Sequence, residues 1–96
     1  MNNIYQLVIE HDNFYDTKEF DSYLFETEED AIDYMNDLME SYKLDFVENY
    51  DLEDVNQLMN EYLEVTIESD TYVNFYIEDN CNITFYIEKK PILKFK

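Results

Sequence analysis

At 96 residues the chain has room for one domain with a thin core. Its apolar share of 46% and aromatic share of 18% exclude an intrinsically disordered chain. Against 24 acids stand only 6 lysines and no arginine, a net charge of −18, which argues against direct binding to nucleic acid or to an anionic membrane, since both need cationic side chains.

The charge is unevenly spread. Lys89, Lys90, Lys94 and Lys96 lie in the last eight residues, where there is no acid. Residues 1–88 hold 24 acids against two lysines, a net of −22. Solubility of a small domain needs a magnitude of only about 2–8, so an excess this large points to a basic partner captured quickly and in a salt-sensitive manner. Cys81 is single, which rules out a disulfide framework. No cationic segment followed by an apolar run opens the chain, and no stretch approaches the ~20 apolar residues of a membrane helix. The expected location is the cytoplasm of whichever cell expresses the chain.

Residues 3–10 read as a strand with Tyr5, Leu7 and Ile9 on one face, and residues 20–26 as a second with Tyr23 and Phe25 on one face. Asp12, Asn13 and Asp16 suit the loop of a hairpin between them. Thr27-Glu28-Glu29-Asp30 has the form of a helix start, with acids in the first turn where the helix dipole favours them. Ala31, Met35, Leu38 and Tyr42, joined by Ile32, Tyr34 and Met39, repeat at helical spacing and predict a helix to about residue 43. The stretch 44–50 fits either a buried loop or a short strand. Asp51 is expected to open a shorter helix whose apolar stripe is Leu52, Val55, Leu58, Met59 and Tyr62.

From Leu63 the pattern alternates strictly, with every core candidate odd-numbered: Leu63, Val65 and Ile67, then Val73, Phe75 and Ile77, then Ile83, Phe85 and Ile87, then Leu93 and Phe95. Antiparallel neighbours share a face only if their numbers sum to an even value. Pairing Glu78 with Asn82 leaves the loop Asp79-Asn80-Cys81 and sets Phe75 opposite Phe85. Pairing Glu68 with Tyr72 leaves Ser69-Asp70-Thr71. Such loops want one left-handed residue, normally glycine. The chain has none, so Asn80 and Asp70 are the expected substitutes. The order ββααβββ, with residues 92–95 as a possible further strand, predicts an α+β fold: an antiparallel sheet with two helices packed on one face and the other face wet. An edge strand at 3–10 or 92–95 is a candidate for pairing with a second copy, against which the self-repulsion of the chain works. The sequence leaves open whether the protein is a monomer or a dimer.

Two surfaces stand out as candidate partner-binding sites. Glu26, Asp30, Asp33, Asp37 and Glu40 are spaced 4, 3, 4 and 3 apart and form a row of carboxylates on one helical face, about 5 Å between members. Like charges at this spacing repel, and no lysine relieves them before Lys43. A solvated acidic face is the plainer explanation of the row; occupation of a basic groove in place of a phosphate backbone is the functional one. On the wet sheet face, Glu64, Glu68, Tyr72, Tyr76, Glu78, Tyr86 and Glu88 mix acids with tyrosines. Tyrosine is common in strands, but it also contributes large contact area at low entropy cost in interfaces.

Catalytic constellations are missing. His11 and Cys81 are the only histidine and the only thiol, and nothing in their spacing supports a dyad. Without glycine there is no phosphate-cradling loop or dinucleotide fingerprint, and two such residues do not make a zinc site. No catalytic residue, cofactor or metal is therefore expected, and the chain is not expected to be an enzyme.

In shortness, charge and acid rows on a helix and a sheet, the chain resembles the small acidic anti-defence proteins of phages and mobile elements, the anti-restriction and anti-CRISPR inhibitors that mimic DNA. Its frequent Asn, Ile and Tyr and its lack of Arg suit an AT-rich phage genome. The basic tail Lys89–Lys96 departs from a uniformly acidic mimic. The resemblance implies an inhibitor that occupies the nucleic-acid site of a nuclease or other basic nucleic-acid-handling protein. The alternative is a module, such as an allosteric inhibitor, antitoxin or adaptor, that binds through its Tyr-rich sheet face.

Overall fold

The computed structural model of the chain describes residues 3–13 and 18–91. The fold is α+β. Strands β1 (Asn3–Asn13) and β2 (Lys18–Phe25) precede helices α1 (Glu28–Asn49) and α2 (Val55–Glu61). Strands β3 (Leu63–Ser69), β4 (Tyr72–Ile77) and β5 (Cys81–Pro91) follow. They form one five-stranded sheet in the order β2-β1-β5-β4-β3, antiparallel throughout. β1 thus lies inside the sheet, and the edges are β2 and β3, not the segment 3–10. The possible strand 92–95 and the loop residue Asp16 lie outside the described residues.

Most of the odd-numbered positions form the core, but Ile67 of the edge strand β3, expected among them, is 70% exposed. Leu7, Ile9, Leu63, Val73, Phe75, Ile77, Cys81, Ile83 and Phe85 are buried against Met35 of α1 and Leu58 of α2. Phe75 and Phe85 meet edge to face at 5.0 Å, and Tyr42 meets Phe85 at 5.3 Å. The rings touch although their residues are not opposite each other. β4 and β5 pair as Phe75↔Ile83 and Ile77↔Cys81, two residues away from the expected register. The tight turn is therefore Glu78-Asp79-Asn80, and Asp79, not Asn80, takes the left-handed conformation at φ 60°. Both registers keep odd residues on one face, so the hydrophobic pattern does not choose between them. β3 and β4 pair as expected from Leu63↔Ile77 to Ile67↔Val73, then shift at a bulge to Ser69↔Tyr72. The bulge leaves the two-residue turn Asp70-Thr71, and Asp70 has no positive φ.

α1 begins as predicted: Thr27 Oγ1 accepts the Asp30 N–H at 3.1 Å. It ends six residues later than residue 43, because Phe46 and Tyr50 continue the stripe of Tyr42 at intervals of four and pack on the core. The C-terminus closes around Asp51, at φ 55°. The Asp51 N–H donates to Glu48 O at 3.2 Å and the Leu52 N–H to Val47 O at 2.9 Å, the paired bonds of a Schellman motif with aspartate where glycine is usual. Asp51 therefore stops α1 instead of opening α2. Asp54 caps α2, its Oδ1 accepting the Gln57 N–H at 2.9 Å, while Gln57 Oε1 accepts the Glu53 N–H at 2.9 Å. Among the described residues no helix is long and apolar enough to cross a membrane.

Candidate functional site

The acidic row of α1 stands on the side of the helix opposite Ala31, Met35 and Tyr42, because 100° per residue carries Asp30, Asp33 and Asp37 to the far side of the axis. All three are exposed. Glu40 is also exposed, but Lys43 Nζ reaches it at 3.0 Å. The Lys43 side chain is itself largely covered and lies 5.9 Å from the Phe75 ring centre, so its stem packs inward while its ammonium neutralises one end of the row. Glu26 falls in the bend before the Thr27 cap and is not part of the helix. The uncompensated row is therefore Asp30, Asp33 and Asp37, with Glu29 and Glu48 exposed on the same helix.

The even-numbered strand residues form the opposite face of the molecule, since α1 and α2 pack on the odd face. Cross-strand rows follow from the pairing. One runs Ser22, Val8, Tyr86, Tyr72. The next runs Phe20, Glu10, Thr84, Asn74, Thr66. A third runs Lys18, Asp12, Asn82, Tyr76, Glu64. The centre of this face is less wet than alternation predicts. Thr84 and Val8 are buried at 9% exposure each, and Asn74, Tyr76, Asn82 and Tyr86 are half-buried. Asn74 explains part of this: its amide donates to Asn82 Oδ1 at 2.6 Å, to Thr84 Oγ1 at 3.1 Å and to the Ile83 carbonyl at 3.3 Å. A pinned polar cluster thus closes over the strands where loose side chains would admit water.

Tyr72 and Tyr86 stack with ring centres 6.0 Å apart. Burial pushes the Tyr86 hydroxyl above its usual pKa, helped by the carboxylates Glu10 and Glu88 on either side and by Tyr72. The hydroxyl stays protonated at neutral pH and offers a donor amid acids. Glu88 is not free to act alone, because Lys90 Nζ lies 3.5 Å from it. Glu64, Tyr76 and Glu78 share a depression of about 420 Å³ with Met59, Asn60, Glu61, Tyr62 and Leu63 of the α2–β3 junction. Glu78 reaches it from the β4–β5 turn and not from a strand, and Glu68 sits at the bulge of β3. The predicted residues thus fall into two groups separated by the thickness of the sheet. The sequence also missed the apolar end of the even face. Phe20 and Leu24 of β2 are exposed at 59% and 62%, although their position in an alternating strand was readable.

Other chemistry is sparse. Cys81 is buried, and burial raises its thiol pKa, which makes it a poor nucleophile. His11 meets Tyr42 edge to face at 5.8 Å as part of the helix-side packing. Among the described residues no group of three or more His, Cys, Asp or Glu side chains is arranged to hold a metal ion. Comparison with protein families, characterised proteins and solved structures gave no match.

Proposed function

We propose that this protein is a non-catalytic acidic inhibitor of a basic nucleic-acid-handling protein, of the anti-CRISPR-like or defence-nuclease-inhibitor kind, and that it occupies the partner's nucleic-acid site by charge mimicry through α1. The observation that supports this most directly is the exposed, uncompensated row Asp30, Asp33 and Asp37 on the outer side of a 22-residue helix. The body is elongated, 54 × 27 × 21 Å. Every acid but Asp16 lies in its described residues, so 23 acids along 54 Å give roughly one per 2 Å, close to the one phosphate per about 1.7 Å of duplex axis. That density is summed over all sides of the body; on α1 itself Asp30, Asp33 and Asp37 stand about 5 Å apart along the axis. The self-repulsion that such density imposes on the fold is the cost of presenting it.

The test is binding to basic nucleases and nucleic-acid-binding complexes captured from bacterial lysate at low salt. The inhibitor should release them between about 50 and 500 mM NaCl, and added DNA should displace it. The double reversal Asp33→Lys with Asp37→Lys should remove most of the binding. Full binding by that variant refutes the role given to α1.

A second reading has its own support in the even sheet face. The stacked Tyr72 and Tyr86, the neutral Tyr86 hydroxyl and the Glu88–Lys90 pair suit an interface that relies on aromatic area more than on net charge. This interaction module predicts salt-tolerant binding that is insensitive to DNA and lost on Tyr76→Ala or Tyr86→Ala.

A further inference from the structure

β2 lies at an edge of the sheet. Among the described residues no strand pairs with that edge. Edge strands are commonly blunted by bulges or inward charges. The opposite edge, β3, is bulged between Ile67 and Ser69. β2 is not bulged: it pairs with β1 without a shift from Phe25 to Lys18, although Glu19 and Asp21 place charges on its helix-side face. It also presents the large apolar side chains of Phe20 and Leu24 to solvent at 59% and 62% exposure.

We propose that β2 is the contact through which two copies of this chain associate. The two β2 strands pair antiparallel about a two-fold axis at Ser22, and the two five-stranded sheets join into one. The argument lies in the register. With Ser22 opposite Ser22 of the second copy, Phe20 falls opposite Leu24 and Leu24 opposite Phe20. Asp21 falls opposite Tyr23. Lys18, at the start of the strand, falls opposite Glu26, just beyond its end. Phe20 and Leu24, the two strongly exposed apolar residues of the strand, meet each other, and the one lysine of the segment meets a carboxylate, twice over because the contact is isologous, while Glu19 falls opposite the half-buried Phe25. The neighbouring symmetric registers lose this match. Centring on Asp21 sets that carboxylate against itself, and centring on Phe20 sets Asp21 against Glu19. Centring on Tyr23 sets Phe20 against Glu26. Even residues face even residues in the chosen register, so the open faces of the two copies are continuous and Phe20, Leu24 and Val8 of each copy become one apolar strip.

The charge of −18 on each copy opposes association. Screening relieves it, so this contact strengthens as salt rises, opposite to the response of the charge-mimicry binding proposed above. The two proposals therefore fail separately. The test is sedimentation velocity of the full chain from about 10 µM to 1 mM, the range in which weak symmetric association is seen, at about 50 and 500 mM NaCl. The expected result is a monomer–dimer equilibrium that favours dimer at the higher salt. Phe20→Glu with Leu24→Glu, checked for folding by circular dichroism, should weaken it by more than about tenfold, since like charges are set in the contact. Under mild oxidation Ser22→Cys should cross-link to a covalent dimer, while Asp21→Cys and the wild-type chain, whose only thiol is the buried Cys81, should not. A monomer at every concentration and both salts overturns the proposal. So does undiminished dimerisation of the double variant, or cross-linking of Asp21→Cys as readily as Ser22→Cys.

Discussion

Replacing Asp51 by glycine should stabilise the protein, and the structure sets the size of the effect. Asp51 sits at φ 55° as the left-handed residue that ends α1. A side chain at that conformation costs about 1–2 kcal/mol, with aspartate toward the lower end because its short polar side chain tolerates it. The carboxylate also stands at the negative pole of a 22-residue helix that has no basic residue in its last turn, which costs a further ~0.3–1 kcal/mol. Against these gains, glycine loses about 0.4–1 kcal/mol more backbone entropy on folding. The balance is near 1 kcal/mol in favour of Asp51→Gly, or an increase of about 4–8 °C in Tm for a domain of this size. Asp51→Asn removes the charge and keeps a residue tolerant of positive φ, so it should give the electrostatic share alone. Thermal unfolding followed by circular dichroism in low salt, with each variant beside the wild type, measures both. A glycine variant less stable than the asparagine variant would show that the left-handed conformation carries no penalty worth removing, and the account of the helix end would be wrong.

Two further outcomes follow from the core and the tyrosines. Leu58 is the one fully buried side chain of α2, and Leu58→Ala should cost about 2–5 kcal/mol, seen as a lowered midpoint in urea. Burial, with Asp21, Tyr23 and Asp45 nearby, raises the pKa of Tyr42, and burial also raises those of Tyr50 and Tyr86. A folded pKa above the unfolded value of 10.0 means that their contribution is intact below pH 10 and is lost as pH climbs through the raised values. The part of the tyrosinate absorbance that Tyr42→Phe removes should therefore appear above the ordinary pH; its appearance at the ordinary pH with the fold intact would contradict the account.

Much of the fold was legible because its determinants are local. The alternation from Leu63 to Ile87 specified which side of each strand is buried, and Thr27 specified where α1 starts. The β4–β5 register was not legible, since turns centred on Asp79 or Asn80 both keep Phe75 and Phe85 on the helix side. The extension of α1 was readable after the fact: Tyr42, Phe46 and Tyr50 recur every four residues, and residues 44–50 hold no glycine or proline to interrupt them. The start of α2 was likewise written in Asp54 and Gln57, whose cap competes with the earlier Asp51 for the same role. The candidate site was legible only as two lists of residues. That the acids of α1 and the tyrosines of β4 and β5 lie on opposite sides follows from tertiary packing, which decides which face of the sheet the helices cover.

That separation makes the molecule two-sided in a thermodynamic sense. Substitutions on the outer side of α1 and on the Tyr72–Tyr86 side share no contacts, and effects at such distant sites add. A partner held by the helix leaves the tyrosine face vacant for another, and a sheet joined edge to edge through β2 would display both helices on one side and both tyrosine pairs on the other. The slab then behaves as a divider, able to hold unlike surfaces apart at fixed spacing while each is altered without disturbing its opposite.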